Sequence, residues 1–363
     1  MKQIFFFILP LVLLAGCDVN KGFTIDGIAT GVQDGKTIFL VARDGENQWD
    51  TLGKSVVENE RFKFEGRVEQ PVIAQIQDIA KRESIPLFLE NAPFQVEVNG
   101  EESRVTGGEL QKMNNELNDQ KAMIYKDMPE IERVFSEARK AGNREKCREL
   151  IAENDRLDSL YNEVERRFLE EYGNTLVAVH LVFKHDPRMR FERLKPMYDL
   201  LSENMRQTPY GQIIMRRYLD AKITAVGEIA PDFTLCTPEG DSLSLYSVKV
   251  KVKILDFWAS WCGPCRAENP NMVALYQKYK NTGLEILSVS LDTKREAWLK
   301  AVREDGLVWK HVSDLKGWQC SAAQRYKINS VPSIFVLDAD NRIVGSFLRG
   351  KQLESILESL MSE

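Results

Sequence analysis

The chain has 363 residues, of which 28% are charged and 9% are aromatic, and its formal net charge is −5 at pH 7. This composition is that of an ordinary globular protein, and no basic cluster or aromatic platform indicates a nucleic-acid partner. The chain is long enough for two or three folded units, and it has no low-complexity stretch or clear internal repeat.

The amino-terminal residues predict an export signal of the lipoprotein type. Lys2 precedes an apolar run at 4–15. This run is too short to span a bilayer, which takes about 20 residues, and fits the hydrophobic core of a signal peptide. The Leu-Ala-Gly-Cys motif ending at Cys17 resembles the bacterial lipobox, in which the cysteine is lipidated. We therefore expect residues 1–16 to be a signal peptide and Cys17 to carry a lipid anchor. The other interpretation is an ordinary signal peptide with an incidental cysteine.

Residues 17–107 predict a β-rich domain. The segment 37–41 has the β-branched and aromatic residues typical of a strand, and 61–66 alternates polar and apolar residues with the strand period of two. Turn-forming pairs such as Asp34-Gly35 recur at strand-length intervals. The domain has no plausible nucleophile, base or ligand cluster, so we interpret it as a scaffold or a partner-binding module.

Residues 108–225 predict a helical segment. The charged stretch 109–172 has a helical period with a break near Gly142, which predicts two helices. The second helix carries an apolar stripe that includes Cys147, so we expect this cysteine to be a small core residue. The short connection favours an antiparallel hairpin over a coiled-coil dimer. Three shorter helices are predicted at 175–183, 191–203 and 211–221.

Residues 226–363 predict an α/β domain, because apolar runs typical of strands alternate with amphipathic runs typical of helices. The predicted strands are 253–258, 285–291, 333–337 and 343–347. The predicted helices are 264–279, 295–305, 322–326 and 352–361. The fold class is therefore multi-domain, with an N-terminal β domain, a central α-helical segment and a C-terminal α/β domain.

The pentapeptide Trp-Cys-Gly-Pro-Cys at 261–265 carries the clearest chemical signal. It follows an apolar strand and begins a helix, where free backbone N–H groups and the positive end of the helix dipole stabilise a thiolate. A thiolate, not a thiol, attacks a disulfide. Two cysteines separated by two residues can also close a small disulfide. We therefore predict a dithiol–disulfide exchange site in which Cys262 attacks and Cys265 resolves.

The segment 256–265 resembles the active site of the thioredoxin superfamily. The continuation 266–270 resembles its membrane-tethered bacterial branch, the envelope thiol:disulfide oxidoreductases often linked to cytochrome c maturation. Residues 230–235 resemble the opening strand of redoxin domains in that branch, and Pro332 stands where the family has a cis-proline facing the cysteines. The β domain resembles the one that precedes the redoxin domain in Bacteroidetes lipoproteins. The resemblance implies a thioredoxin-like fold for 226–363 and a protein-disulfide reductase.

The resemblance also implies roles for single residues. Asp256 matches the buried carboxylate that takes part in proton transfer in thioredoxins, and Glu268 matches an active-site glutamate of the membrane-tethered branch. Trp261, Val331 and Pro332 are expected to contact the substrate. Asp256 is otherwise a polar strand residue bonded to the backbone. Glu268 is otherwise a surface acid at a helix start, and Pro332 a trans proline that begins a strand.

The resemblance implies no cofactor beyond the redox-active Cys262–Cys265 disulfide. Its expected partners are protein dithiols and disulfides, an inner-membrane electron donor, and the membrane through the lipid anchor, with the enzyme facing the periplasm. We expect no metal, since the histidines lack the ligand spacing of a zinc site. Arg266 stands where haem attachment requires a histidine.

Two alternative functions are open. A thiol-dependent peroxidase of the peroxiredoxin type shares the opening strand, but it predicts Thr or Ser where Ala259 stands and Pro where Leu255 stands. A binding or chaperone-like lipoprotein would rely mainly on the modules that precede the redox domain. The intact cysteine pair argues against a purely structural role. Cys236 and Cys320 could pair with each other, which the sequence alone does not establish.

Overall fold

The computed structural model describes residues 22–43, 48–79, 84–99 and 102–362. The chain divides into two compact units, the first ending at Leu181 and the second beginning at Val182. The predicted signal peptide and Cys17 lie outside the described residues. None of the helices in these ranges is both long enough and apolar enough to cross a bilayer.

The first unit begins with a β domain of two packed sheets. Its strands are β1 (Phe23–Thr30), β2 (Thr37–Arg43), β3 (Trp49–Val56), β4 (Arg61–Gly66), β5 (Val72–Gln77), β6 (Ser84–Leu89), β7 (Pro93–Asn99) and β8 (Glu102–Gly107). One sheet has the order β4-β1-β7-β8 and the other β3-β2-β5-β6. Side chains alternate between the two faces, so each sheet has an apolar face. The apolar faces share one core, with Ile25 and Phe94 from one sheet and Leu40 and Ile76 from the other.

Helices follow the β domain. They are α1 (Glu109–Ile124), α2 (Met128–Lys140), α3 (Arg144–Tyr172), α4 (Leu176–Lys184), α5 (Phe191–Asp199), α6 (Glu203–Arg206) and α7 (Pro209–Lys222). The prediction of two helices over 109–172 was wrong, since a break before α2 makes three. Pro129 stands in the first turn of α2, where its missing N–H does no harm, whereas inside a longer helix it would break a hydrogen bond.

The predicted hairpin is present, since α2 packs against α3. The side chain of Asn143 caps α3 by accepting a hydrogen bond of 3.0 Å from the N–H of Lys146. Lys121 of α1 forms an ion pair of 2.6 Å with the buried Glu165 of α3. Cys147 is half-buried, so it lies at the margin of the packed face rather than in the core.

The α/β part of the second unit has the predicted alternation. Its strands are β9 (Thr234–Cys236), β10 (Ser242–Ser244), β11 (Val252–Trp258), β12 (Leu284–Ser290), β13 (Lys310–Val312), β14 (Ser333–Leu337) and β15 (Ile343–Ser346). Its helices are α8 (Gly263–Tyr279), α9 (Arg295–Glu304), α10 (Ser321–Arg325) and α11 (Gly350–Ser362). The predicted elements agree to within two residues at each end. The short strands β10 and β13 were missed because three residues carry little periodicity. The opening strand expected within 230–235 is present as β9, which begins only at Thr234.

The main sheet positions the site. Its order is β13-β12-β11-β14-β15. The strands β11, β12 and β13 are parallel, whereas β14 and β15 are antiparallel to their neighbours. Every residue of the central strand β11 is buried. The carboxyl ends of the three parallel strands lie at one edge of the sheet, which is where open α/β sheets carry their chemistry. The Cys-Gly-Pro-Cys segment follows β11 at that edge.

Gly27 of β1 gives a test of the β-domain core. A Cβ atom added at Gly27 would lie 2.0 Å from the Phe62 ring, so we expect Gly27→Ala to lower the free energy of unfolding by about 1–3 kcal/mol. At Gly53 the nearest atom is a Phe64 carbon at 3.2 Å, so Gly53→Ala is the matched control with a smaller effect. Denaturant unfolding followed by circular dichroism measures both. Adding Phe62→Leu should restore part of the loss, and a Gly27→Ala protein as stable as the wild type would contradict this packing.

Candidate active site

The two cysteines of the pentapeptide form a disulfide at the start of α8. The sulfur atoms are 2.07 Å apart and the Cα atoms 5.2 Å apart. Cys262 is the N-cap residue of the helix, and its Sγ accepts a hydrogen bond of 3.1 Å from the N–H of Cys265. Cys262 is 4% exposed and Cys265 is 1% exposed. Pro264 fits the first turn because that turn needs no N–H from it. Cys262 is therefore slightly the more exposed residue of the pair, and its sulfur already has a hydrogen-bond donor.

Asp256 lies in β11 and is buried. Its register partner on β12 is Ser288, whose hydroxyl donates a hydrogen bond of 3.0 Å to the carboxylate. The indole N–H of Trp309 in turn donates to the Ser288 oxygen at 2.9 Å. Burial raises the pKa of Asp256 to about 7, against the opposing effect of the Ser288 hydrogen bond. A carboxyl group with this pKa can take up or release a proton near neutral pH.

Glu268 lies on α8, six residues after Cys262, and is half-buried. One of its oxygens accepts hydrogen bonds from the N–H of Gly350 at 2.9 Å and from the Asn271 amide at 2.8 Å. Because Gly350 begins α11, the carboxylate lies at the positive end of that helix. The charge of Glu268 also contributes to the raised pKa of Asp256. The structure therefore brings the two predicted acids within electrostatic range of each other.

The residues predicted to contact substrate differ in exposure. Trp261 is 56% exposed, Val331 is half-buried and Pro332 is buried. The Val331–Pro332 bond is cis, as predicted. The carbonyl of Pro332 accepts a hydrogen bond of 2.8 Å from Arg349. The roles of Trp261, Val331 and Pro332 in binding stay predictions.

Asp292 was missed by the sequence analysis. It lies just after β12, is 2% exposed, and accepts a hydrogen bond of 3.0 Å from the N–H of Ser260, in the loop before the dithiol. The hydroxyls of Ser260 and Ser290 also donate to it. The carboxylate thereby fixes the loop that leads into the dithiol. A buried acid at a strand end is visible in the sequence, but its partner 32 residues away is not.

Arg266, for which the sequence predicts no role in the site, makes a structural contact. Its guanidinium donates to Asp305 at 2.7 Å and to Glu304 at 3.2 Å, at the end of α9. The Asn269 amide donates to the same Asp305 at 2.6 Å. These bonds tie the first turns of α8, which carry the dithiol, to a second helix.

Among the residues that the structure describes, the other cysteines are Cys147, Cys236 and Cys320, and all three are free thiols. Cys236 and Cys320 therefore do not pair in this structure. Cys320 is buried, which raises the pKa of its thiol. Within the described part of the chain, no group of three or more His, Cys, Asp or Glu side chains could hold a metal ion.

Comparison with known proteins agrees with this geometry. Residues 226–346 match the AhpC/TSA family, and residues 23–114 match a domain of unknown function, DUF4369. The chain is 32% identical over 146 residues to the thiol-disulfide oxidoreductase ResA of Bacillus thuringiensis (strain Al Hakam), covering 40% of this chain and 82% of that protein. The ResA of Geobacillus kaustophilus is 31% identical, over 39% of this chain and 82% of that protein.

A solved structure, the thioredoxin domain of a thiol-disulfide oxidoreductase from Bacteroides vulgatus, is 34% identical over 38% of this chain and 98% of that chain, with a TM-score of 0.36.

A sheet of this order with a cysteine pair at the start of the helix after its central strand defines a thioredoxin-like domain. This chain belongs to the thiol-disulfide oxidoreductase family, and it is an enzyme of that class. The predicted resemblance, fold class and enzyme class are thereby confirmed.

The pKa of Asp256 gives a prediction for stability. Its ordinary value is 3.8 and the folded value is about 7, so the folded protein binds this proton more tightly than the unfolded chain. The free energy of unfolding should therefore fall between about pH 4 and pH 7, by on the order of 4 kcal/mol for this group, and stay low above that range. Asp256→Asn carries no charge and should remove this fall, making the oxidised protein more stable than the wild type at pH 8.

Denaturant unfolding of both oxidised proteins at pH 5 and pH 8 measures the effect. Asp340→Asn, which changes an exposed aspartate of the same unit, is the control and should follow the wild type. Equal pH dependence in the wild type and Asp256→Asn would show that this carboxyl is not the group responsible.

Proposed function

We propose that this protein reduces disulfide bonds of other proteins through the Cys262–Cys265 dithiol. The observation that carries the proposal is the position of Cys262 at the N-cap of α8, with the N–H of Cys265 directed at its sulfur. When the disulfide opens, the same N–H and the helix dipole favour a thiolate on Cys262. The family match supports the exchange chemistry.

The reaction begins from the reduced enzyme. The Cys262 thiolate attacks one sulfur of the substrate disulfide, forming a bond to that sulfur, and the second substrate sulfur leaves as a thiolate that takes up a proton. Cys265 then loses its proton and attacks Cys262, which releases the first substrate sulfur as a thiol. Two electrons pass to the substrate, and the enzyme is left as the Cys262–Cys265 disulfide.

Asp256 is our candidate for the proton acceptor from Cys265. Its pKa of about 7 matches a group that must gain and lose a proton at neutral pH. Glu268 acts on it through charge, because its carboxylate contributes to the raised pKa of Asp256. We assign proton transfer to Asp256, and we assign to Glu268 the role of raising the pKa of Asp256.

The surroundings of the reaction are proposed from the predicted resemblance. Trp261, Val331 and Pro332 would contact an extended substrate strand, with the backbone of Val331 pairing with it.

Since the cycle ends with an oxidised enzyme, a dithiol donor must reduce the Cys262–Cys265 disulfide again, and an inner-membrane donor serving cytochrome c maturation fits the envelope branch. The β-rich domain at 17–107 would act as a scaffold or partner-binding module, joined through the helical segment 108–225 to the redox domain.

Variants of the cysteines test the assignment of roles. We expect Cys262→Ser to abolish insulin reduction, because the attacking thiolate is gone. Cys265→Ser should accumulate mixed disulfides with substrate, because nothing resolves them. Turbidity assays measure insulin reduction, and mass spectrometry detects the mixed disulfides. Cys236→Ser, which removes an exposed free thiol, is the control and should keep wild-type activity.

Alkylation of the reduced wild type near pH 7 should label Cys262 before Cys265, and the opposite order would reverse the roles. A reduction potential near −270 mV would agree with a reductase, whereas one near −120 mV would indicate an oxidant.

A second candidate function is a thiol-dependent peroxidase, and the AhpC/TSA match is the observation that favours it. The residues near the dithiol disfavour it, since Ala259 and Leu255 replace the hydroxyl residue and the proline of that class. Both are fully buried apolar residues. Consumption of hydrogen peroxide by the reduced protein, compared with its rate on insulin, separates the two functions.

We further propose that Cys17 is lipidated and holds the protein at the envelope, facing the periplasm. Cys17→Ser should move the protein to the soluble fraction and stop incorporation of labelled fatty acid, because the thioether attachment site is lost. Cys147→Ser is the matched control and should stay membrane-bound. Membrane association without label in Cys17→Ser would instead indicate an anchor supplied by a partner.

A further inference from the structure

The loop that follows β13 lies at the same sheet edge as the dithiol. The strands β11, β12 and β13 are parallel neighbours, so their carboxyl ends lie side by side. The dithiol follows the first of these strands, Asp292 follows the second, and the segment 313–320 follows the third. This third segment connects β13 to α10.

This segment carries an exposed tryptophan. Trp318 is 40% exposed and its ring centroid lies 6.0 Å from that of Trp261, with the rings inclined at 54°. The other tryptophans of the second unit are buried, namely Trp258, Trp298 and Trp309. Burial of apolar surface stabilises a fold in proportion to the area buried, so an exposed indole does not contribute this free energy to folding. Trp261, which precedes Cys262 in the chain, and Trp318 therefore form an exposed apolar surface in a unit that buries its other tryptophans.

Hydrogen bonds hold the Trp318 segment in place. The carbonyl of Trp318 accepts a bond of 2.7 Å from the Gln324 amide, and Asp314 accepts one of 3.0 Å from the N–H of Ser321. Gly317 is buried with a φ of 57°, and a Cβ atom there would lie 3.1 Å from a methyl carbon of Thr293. Because the backbone is already fixed, binding a ligand to Trp318 requires little ordering of the loop.

We propose that Trp318 contacts the substrate. Together with Trp261 it binds an apolar, preferably aromatic, side chain next to the substrate cysteine that Cys262 attacks. The occupant follows from position, since Trp261 directly precedes Cys262, and a polypeptide whose sulfur reaches Cys262 must pass beside this pair. This inference rests on the proposed reduction of protein disulfides and specifies which protein disulfides are preferred.

Two disulfide peptides that differ at one position test the preference. One has Phe and the other Gly beside the cysteine, and the second-order rate constant for oxidation of the reduced enzyme is measured with each. An aromatic contact of ordinary strength predicts that the wild type prefers the Phe peptide by about 3- to 10-fold. Trp318→Ala should bring this ratio close to one, and Trp318→Phe should keep most of it.

Trp49→Ala is the matched control, because Trp49 is 37% exposed but lies on β3 in the first unit. It should leave the Phe-to-Gly ratio at the wild-type value. If Trp318→Ala slows both peptides equally and keeps the ratio, Trp318 only supports the loop and the inference is wrong. A wild-type ratio of one would be equally decisive against it.

A binding measurement separates failure of this inference from failure of the proposed function. Calorimetry measures binding of the peptides to the Cys262→Ser enzyme, using versions of both peptides in which the peptide cysteine is replaced by serine. This measurement needs no redox reaction. If the wild type reduces neither peptide, the proposed function fails. Even then, the inference about the aromatic surface would be supported if Cys262→Ser binds the Phe peptide more tightly than the Gly peptide and adding Trp318→Ala removes this difference. Equal binding of both peptides to Cys262→Ser would reject the inference.

Discussion

The burial of strand β11 is the constraint on which the redox site depends. The strand lies between β12 and β14, and every one of its residues is excluded from water. That burial raises the pKa of Asp256, because a charged carboxylate is poorly solvated there. The same strand ends just before the dithiol, so one element supplies both the perturbed acid and the attachment point of Cys262. A surface strand at this place would supply neither the raised pKa nor a rigid base for the helix.

The dithiol segment is fixed by bonds to three separate elements. Asp292 holds the loop before it, Arg266 joins its helix to the end of α9, and Glu268 joins the helix to the first turn of α11. Each bond involves a charged group, and such bonds are stronger than neutral ones. The geometry of the cysteine pair is therefore set before substrate arrives, which reduces the reorganisation that exchange requires. Glu268 has a second effect, because its charge also acts on Asp256.

Reactivity and recognition lie on different kinds of surface. Both cysteines are almost buried, with Cys262 4% exposed, whereas the neighbouring Trp261 is 56% exposed. Exchange at a nearly buried cysteine requires a substrate that is brought close and oriented, and we propose that the indole surface supplies apolar contacts for this. In the mechanism that we propose, the chemistry belongs to the helix start and the buried strand, and selection among substrates belongs to the side chains around them.

Local sequence patterns were enough to predict the strands and helices of the redox domain and the cysteine pair at a helix start, because these features depend on periodicity and on residues adjacent along the chain. The candidate acid Asp256 was predicted from the resemblance of residues 256–265 to the thioredoxin active site. Which distant groups meet depends on the tertiary fold, because strand order and register bring them together. The contacts decided in this way are Ser288 with Asp256, Asp292 with Ser260, Arg266 with Asp305, and Trp318 with Trp261. The tertiary structure also leaves Cys236 and Cys320 unbonded to each other and divides one predicted helix before α2, outcomes that packing determines and periodicity does not.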